Sequence, residues 1–298
     1  MKIGIIGGGS IGLLFAYYLH IHHSVCLYVR SKEQAEELQK NGLFLERGGV
    51  KKHINLDVKF VSEWCGEEDA TFIAVKQYHL PDLMGQLSLF CHPGKGLLFL
   101  QNGMGHLKMI ENLRGDVYVG TVEHGALKMN PNAVMHTGIG VTKLAPFRCS
   151  MAKMQNLLNQ IQKEEFPFLI EADYEKMLLK KLVVNAVINP LTAILQVKNG
   201  ELIQNPYYFQ LVKQIFAEIE NSLCFQNKED YFQNVMAVCE KTAHNQSSML
   251  RDLMENRPTE IDAILGFILE KATERKINTP IIESFYQAVK GKEYRVGE

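Results

Sequence analysis

The sequence carries almost no surplus charge of either sign. Its 32 Lys and Arg residues face 33 Asp and Glu, for a formal net charge of -1. Such a balance gives no electrostatic reason to favour a polyanion, so a nucleic acid partner is not expected. Cysteine is sparse and scattered. Cys26, Cys65, Cys91, Cys149, Cys224 and Cys239 form no C-x-x-C pair and have no His-rich companion spacing. That argues against a zinc site or a thiol redox motif, and against any metal centre. Buried free thiols in a reducing compartment are the expectation. No apolar run approaches the roughly 18 residues of a membrane helix. The short apolar stretch behind Lys2 is cut by the glycines from Gly7 to Gly9, as befits a first strand and not a signal peptide. A cytoplasmic location without a membrane partner follows as an expectation. Internal repeats and low-complexity tracts are also missing.

What is present is an ordinary globular composition, 46% apolar and 22% charged over 298 residues, long enough for about two domains. Near-continuous apolar runs occur at Lys2 to Ile6, Val25 to Val29, Ala70 to Val75 and Leu97 to Leu100. Helix-like segments between them suggest βαβ repetition and a mostly parallel, doubly wound sheet. A strand-like stretch near Phe166 to Ile170 closes this half. From Tyr174 onward the period is helical. The expected plan is an α/β Rossmann domain over residues 1–171 followed by an all-α domain over residues 172–298.

Gly7, Gly9 and Gly12 form G-x-G-x-x-G directly behind the first strand, opening a helix-like segment from Leu13 to Leu19. In that setting the first glycine permits a tight turn and the second a close approach to a pyrophosphate. The third permits close helix packing, and the helix N-terminus faces the phosphate charge. The whole loop, Gly7, Gly8, Gly9, Ser10, Ile11 and Gly12, is therefore expected to hold a dinucleotide. The next strand ends in Arg30 and Ser31 where an NAD enzyme would carry an acidic residue, which favours the 2'-phosphate of NADP. Two more strand ends, at Lys76 and at Asn102-Gly103-Met104-Gly105, lie where ligands of open sheets bind. Each is equally readable as a plain turn.

In the second half Lys181, Asn185 and Asn189 stand at i, i+4 and i+8 on one helix face, with only apolar residues between them. Buried amides need partners, so either a polar cleft or nearby backbone satisfies them. Pro190 is expected to end or kink that helix. Farther on, Asn245, Ser247 and Ser248 precede an apolar turn. Pro258 and Thr259 read as a helix start with Asp262 three residues on, as in a capping box. Glu260 in such a first turn suits the helix dipole without any functional role.

These separated motifs together resemble the 2-dehydropantoate 2-reductase (ketopantoate reductase) family over essentially the full chain. The resemblance rests on the glycine loop, Asn102-Gly103-Met104-Gly105, Lys181 through Ala193, Asn199-Gly200-Glu201-Leu202, Ser247-Ser248-Met249-Leu250 and Thr259-Glu260-Ile261-Asp262. It implies NADPH-dependent reduction of 2-dehydropantoate to pantoate, on the route to pantothenate and coenzyme A. Lys181 matches the catalytic lysine. Asn185, Asn189, Asn199, Asn245 and Ser248 match substrate contacts, while Lys76, Asn102, Ala126 and Glu260 match residues lining the cofactor or the closed site. By the same resemblance Glu260 joins Lys181 in the catalytic set, contacting cofactor or orienting the lysine. A related reductase of another small 2-keto or 3-hydroxy acid stays open, a non-enzymatic NADP sensor less so, and a homodimer is compatible with either.

Overall fold

The computed structural model describes residues 1–294. They form two compact units: Met1–Gln101 with His106–Met177, and Asn102–Gly105 with the chain from Leu178 onward. The second unit therefore takes four residues from the first half of the sequence.

In the first unit the chain runs β1 (Lys2–Ile6), α1 (Ser10–His20), β2 (Ser24–Val29), α2 (Lys32–Asn41), β3 (Leu43–Arg47), β4 (Val50–Ile54), β5 (Asp57–Phe60) and β6 (Ala70–Ile73). It continues through α3 (Leu80–Phe90), β7 (Gly96–Phe99), α4 (His106–Ile110), β8 (Asp116–Val122), β9 (Gly125–Asn130), β10 (Ala133–Gly138), β11 (Thr142–Arg148), α5 (Met151–Ile161) and β12 (Phe168–Ile170). The main sheet has eight strands in the order β12-β11-β8-β7-β6-β1-β2-β5. Every adjacent pair is parallel except β8 with β11. Central strands covered on both faces explain the unbroken apolar runs: β1 is buried from Ile3 onward and all of β6 and β7 is buried. From β1 the strand order runs one way to β2 and the other way to β6. In open sheets with such a reversal of strand order, ligands bind outside the carboxyl ends of the strands. Phe15 of α1 anchors the core, with ring centroids 5.4 Å from Phe72 and 4.9 Å from Phe166.

A second sheet, β4-β3-β10-β9, departs from simple βαβ alternation. Gly48 and Gly49, at φ +57° and +78°, turn β3 into β4, a geometry glycine adopts without strain. The cysteines also depart from expectation. Cys91 and Cys239 are buried, Cys26 and Cys149 half-buried, and Cys65 and Cys224 exposed; all are free. Cys224 is exposed because it ends a helix in left-handed conformation.

The second unit contains α6 (Tyr174–Leu195, whose first turn precedes the division), α7 (Glu201–Gln204), α8 (Pro206–Leu223), α9 (Lys228–Lys241), α10 (Ser248–Met254), α11 (Phe267–Arg275) and α12 (Pro280–Glu293). A π-helical turn, Asp262–Gly266, leads into α11. Its core joins Leu182, Val183 and Val187 of α6 with Ile215 and Ile219 of α8 and Ile264 and Leu265 of the π turn. Pro190 neither ends nor interrupts α6, which is 22 residues long. The buried stripe on both sides of the missing N–H carries the helix across it. Contrary to the expectation from sequence, α6 is long and apolar enough to cross a membrane by length and composition, yet 61% of its apolar window is buried inside the protein.

Candidate functional site

The glycine loop owes its shape to three separate constraints. Gly7 has φ +120°, and a Cβ there would meet the carbonyl carbon of Ala74 at 2.9 Å. A Cβ on Gly12 would overlap the carbonyl oxygen of Gly7. Around a Cβ placed on Gly9 there is nothing within 4 Å, so this side of the loop is open. Gly9 also caps α1 without any side-chain hydrogen bond, and the first turn holds no acidic residue. The amide groups and the positive end of the helix dipole thus remain available to an anion. At α2, by contrast, the Ser31 hydroxyl accepts the N–H of Gln34 at 3.3 Å.

Two residues that sequence reasoning missed brace the loop from behind. The carbonyl of Gly8 accepts Gln34 Nε2 at 2.8 Å and Lys128 Nζ at 3.0 Å, and Gln34 Nε2 also reaches the Pro131 carbonyl at 2.8 Å. Lys128 comes from β9, so the second sheet helps fix the loop. No local pattern around Lys128 announces this; the contact spans 120 residues.

Arg30 follows β2 and is exposed. Its guanidinium nitrogens lie 3.1 and 3.0 Å from the two imidazole nitrogens of His79. Burial and the neighbouring Arg30 charge lower the His79 pKa and so favour the neutral ring, in which one nitrogen accepts. Lys76 precedes the short 3-10 turn Gln77–His79, and its ammonium lies 5.9 Å from the Tyr78 ring centroid. Ala126 is on β9 opposite His136. Gln101, just past β7, ties that strand end to β6 by donating to the carbonyls of Ile73 and Val75, both at 2.9 Å.

In the second unit Asn102 donates from Nδ2 to Glu260 Oε2 at 2.8 Å. Next to it, a Cβ on Gly103 would overlap the Ala263 carbonyl oxygen, so only glycine lets this segment lie against the π turn. On α6, Lys181 and Asn185 are half-buried and Asn189 is buried. One turn further, the Thr192 and Ser247 hydroxyls lie 2.7 Å apart, and Ser247 caps α10 by accepting the Leu250 N–H at 3.1 Å. That contact docks the start of α10, with exposed Ser248, beside α6. Asn199 is buried; its backbone N–H meets the Asn245 carbonyl at 3.1 Å and its Nδ2 donates to Thr242 at 2.8 Å. Its Oδ1 is buried without a hydrogen-bond partner among the described residues. Asn245 itself presents an exposed side chain.

The capping box read from Thr259 and Asp262 forms only in part. Thr259 Oγ1 accepts the Ile261 N–H at 3.2 Å, but the Thr259 N–H goes to Glu293 Oε1 of α12 at 2.6 Å. Asp262 instead accepts from Tyr286 and Lys290, because α12 supplies stronger partners than the local backbone does.

Two family descriptions match the chain: Ketopantoate reductase PanE/ApbA over residues 3–148 and Ketopantoate reductase PanE/ApbA C terminal over residues 173–293. The sequence is 41% identical over 296 residues to the 2-dehydropantoate 2-reductase of Bacillus subtilis (strain 168), covering 98% of each chain. It is 36% identical over 299 residues to the protein of that name from Listeria monocytogenes serovar 1/2a, covering 98% of this chain and 97% of the other. Among solved structures, the probable 2-dehydropantoate 2-reductase panE from Bacillus subtilis superposes with a TM-score of 0.88 at 40% identity, covering 98% of this chain and 100% of that one. A D-mandelate dehydrogenase in a ternary structure with NADH and anilino(oxo)acetate shares the fold, with a TM-score of 0.92 at 24% identity and 98% of each chain covered.

Proposed function

This chain belongs to the ketopantoate reductase PanE/ApbA family, and from that premise we propose that it reduces 2-dehydropantoate to pantoate with NADPH, a step toward pantothenate and coenzyme A. The observation that carries this reading is the polar face of α6, where Lys181, Asn185 and Asn189 are separated only by apolar residues. A dinucleotide fits the first unit, because Gly9 leaves open space before the uncapped N-terminus of α1. A reduced nicotinamide dinucleotide held there would supply the hydride that the C2 keto carbon requires.

The residues of the chain have the remaining tasks. Lys181, as an ammonium, stabilises the negative charge developing on the keto oxygen and donates the proton that completes the alcohol. Asn185, Asn189, Asn245 and Ser248 hydrogen-bond the substrate carboxylate and hydroxyl, and so hold the carbonyl in one orientation. The buried Oδ1 of Asn199 suits a hydroxyl donor, which would satisfy an atom otherwise left without a partner. Glu260 orients polar groups of the site, with its own carboxylate held by Asn102. Lys76 and Ala126 line the cofactor. Arg30 at the end of β2 selects NADPH through the 2'-phosphate, with a guanidinium that pairs readily with phosphate oxygens.

The test is oxidation of NADPH and of NADH with 2-dehydropantoate, using the wild type, Lys181→Ala and Arg30→Ala. Turnover that prefers NADPH is expected, with kcat lowered by roughly 10²- to 10⁴-fold in Lys181→Ala. Arg30→Ala should weaken NADPH by roughly 10- to 100-fold, the worth of a lost charged hydrogen bond, and leave NADH nearly unchanged. NADPH binding without reduction of 2-dehydropantoate, while another 2-keto acid is reduced, would overturn the substrate assignment.

A further inference from the structure

Glu260 is flanked on both sides by residues tied to one face of α12. On its N-terminal side the Thr259 N–H donates to Glu293 Oε1 at 2.6 Å. On its C-terminal side Asp262 Oδ1 accepts the Tyr286 hydroxyl at 2.7 Å and Asp262 Oδ2 accepts Lys290 Nζ at 3.1 Å. Lys290 also lies 3.4 Å from Glu293 Oε2, which closes the network. Tyr286, Lys290 and Glu293 stand at i, i+4 and i+7, one stripe of a helix. The segment they hold contains a π-helical turn, in which the Phe267 N–H bonds the Asp262 carbonyl five residues back. Such turns are less favourable than α-helix and persist only where surroundings impose them.

Relaxing the π turn to α-helix would shift the register by one residue, which rotates the preceding residues by about 100° and moves them by about 1.5 Å along the axis. Glu260 lies two residues before that turn, and a rotation of this size would carry its carboxylate off Asn102 Nδ2. We propose that Tyr286, Lys290 and Glu293 are positioning residues: a clasp on α12 that keeps the π turn in place and thereby presents Glu260 for the reaction. This rests on the role of Glu260 proposed above. The network is charged and hydrogen-bonded rather than apolar, so removing one hydroxyl tests it without opening a core cavity.

The experiment is a double-mutant cycle between Tyr286→Phe and Glu260→Gln in the full chain. It is read by kcat, KM, NADPH affinity and amide hydrogen exchange of the peptide spanning residues 259–267. Tyr286→Phe should lower kcat about tenfold, leave NADPH affinity within twofold, and speed exchange of that peptide in the apoprotein. In the Glu260→Gln background it should speed exchange again but lower kcat no further. Equal loss of kcat in both backgrounds, or unchanged exchange, overturns the clasp. An unimpaired Glu260→Gln enzyme overturns the role of Glu260 itself, a separate failure visible before any clasp variant is made. Glu293→Gln, which weakens the Thr259 contact from the other end, repeats the cycle should Tyr286→Phe fold poorly.

Discussion

His106, at the start of α4, is fully buried, and neither ring nitrogen has a hydrogen-bond partner among the described residues. Burial pushes its pKa down from 6.5 to about 4. The folded protein therefore keeps the ring neutral while the unfolded chain takes up a proton. Above pH 6.5 the ring is neutral in both states and titration costs the native state nothing; as pH falls through the window from 6.5 to 4 the unfolded chain alone takes up the proton, and native stability is progressively lost. Replacement by Leu, a residue of similar volume, removes both the unsatisfied polar atoms and the titration. At pH 7 the gain is about 1–2 kcal/mol, the desolvation of an unpaired polar group recovered. Between pH 7 and pH 4.5 the advantage of His106→Leu over wild type should widen by about 2 kcal/mol. In that interval the unfolded chain binds a proton that the native state refuses, which costs the wild type roughly 1.4 kcal/mol for every tenfold rise in proton concentration. Urea unfolding followed by circular dichroism at the two pH values measures both quantities. Parallel stability-against-pH curves for the two proteins would refute the reasoning, because they would show that the imidazole is protonated or partnered in the native state.

The second and third glycines of the motif should respond differently. Gly12→Ala forces a Cβ into the Gly7 carbonyl and should lower thermal stability by several degrees. Gly9→Ala meets open space, so it should melt like wild type while binding NADPH at least tenfold more weakly, as calorimetry would show. Thr192→Val keeps shape but removes the hydroxyl that faces Ser247 at 2.7 Å. It should cost about 1–2 kcal/mol in chemical denaturation, because Ser247 is also buried.

How much of this was legible in the sequence depended on how local the determining contacts are. β1, the glycine loop and α1 were readable because the apolar run, the glycine spacing and the helix that follows fall within about twenty residues, although the contact that requires glycine at Gly7, with Ala74, is distant in sequence. The α6 face was readable from a single helical period. The second sheet was not, since β3 pairs with β10, bringing Phe44 against Ala133, and β4 is mostly exposed with no alternating pattern. Asp262 was read as a local cap because its spacing from Thr259 fits one, but Tyr286 and Lys290 of α12 compete for the same carboxylate and win. Asn102 and Glu260 were each singled out, yet their hydrogen bond across 158 positions has no sequence signature. The contact of Arg30 with His79 likewise became visible only when β2 and β6 were set on the two sides of β1.

The four residues from Asn102 to Gly105 have a practical meaning for dissecting the molecule. They interrupt the first unit in sequence but belong to the second by packing. No single cut of the polypeptide therefore separates the two units intact. A fragment starting at Leu178 would lack the glycine that fits against Ala263 and the amide that anchors Glu260. Exchange of the helical half between relatives, to alter which acid is accepted, should therefore carry this tetrapeptide along with it as part of the transplanted piece.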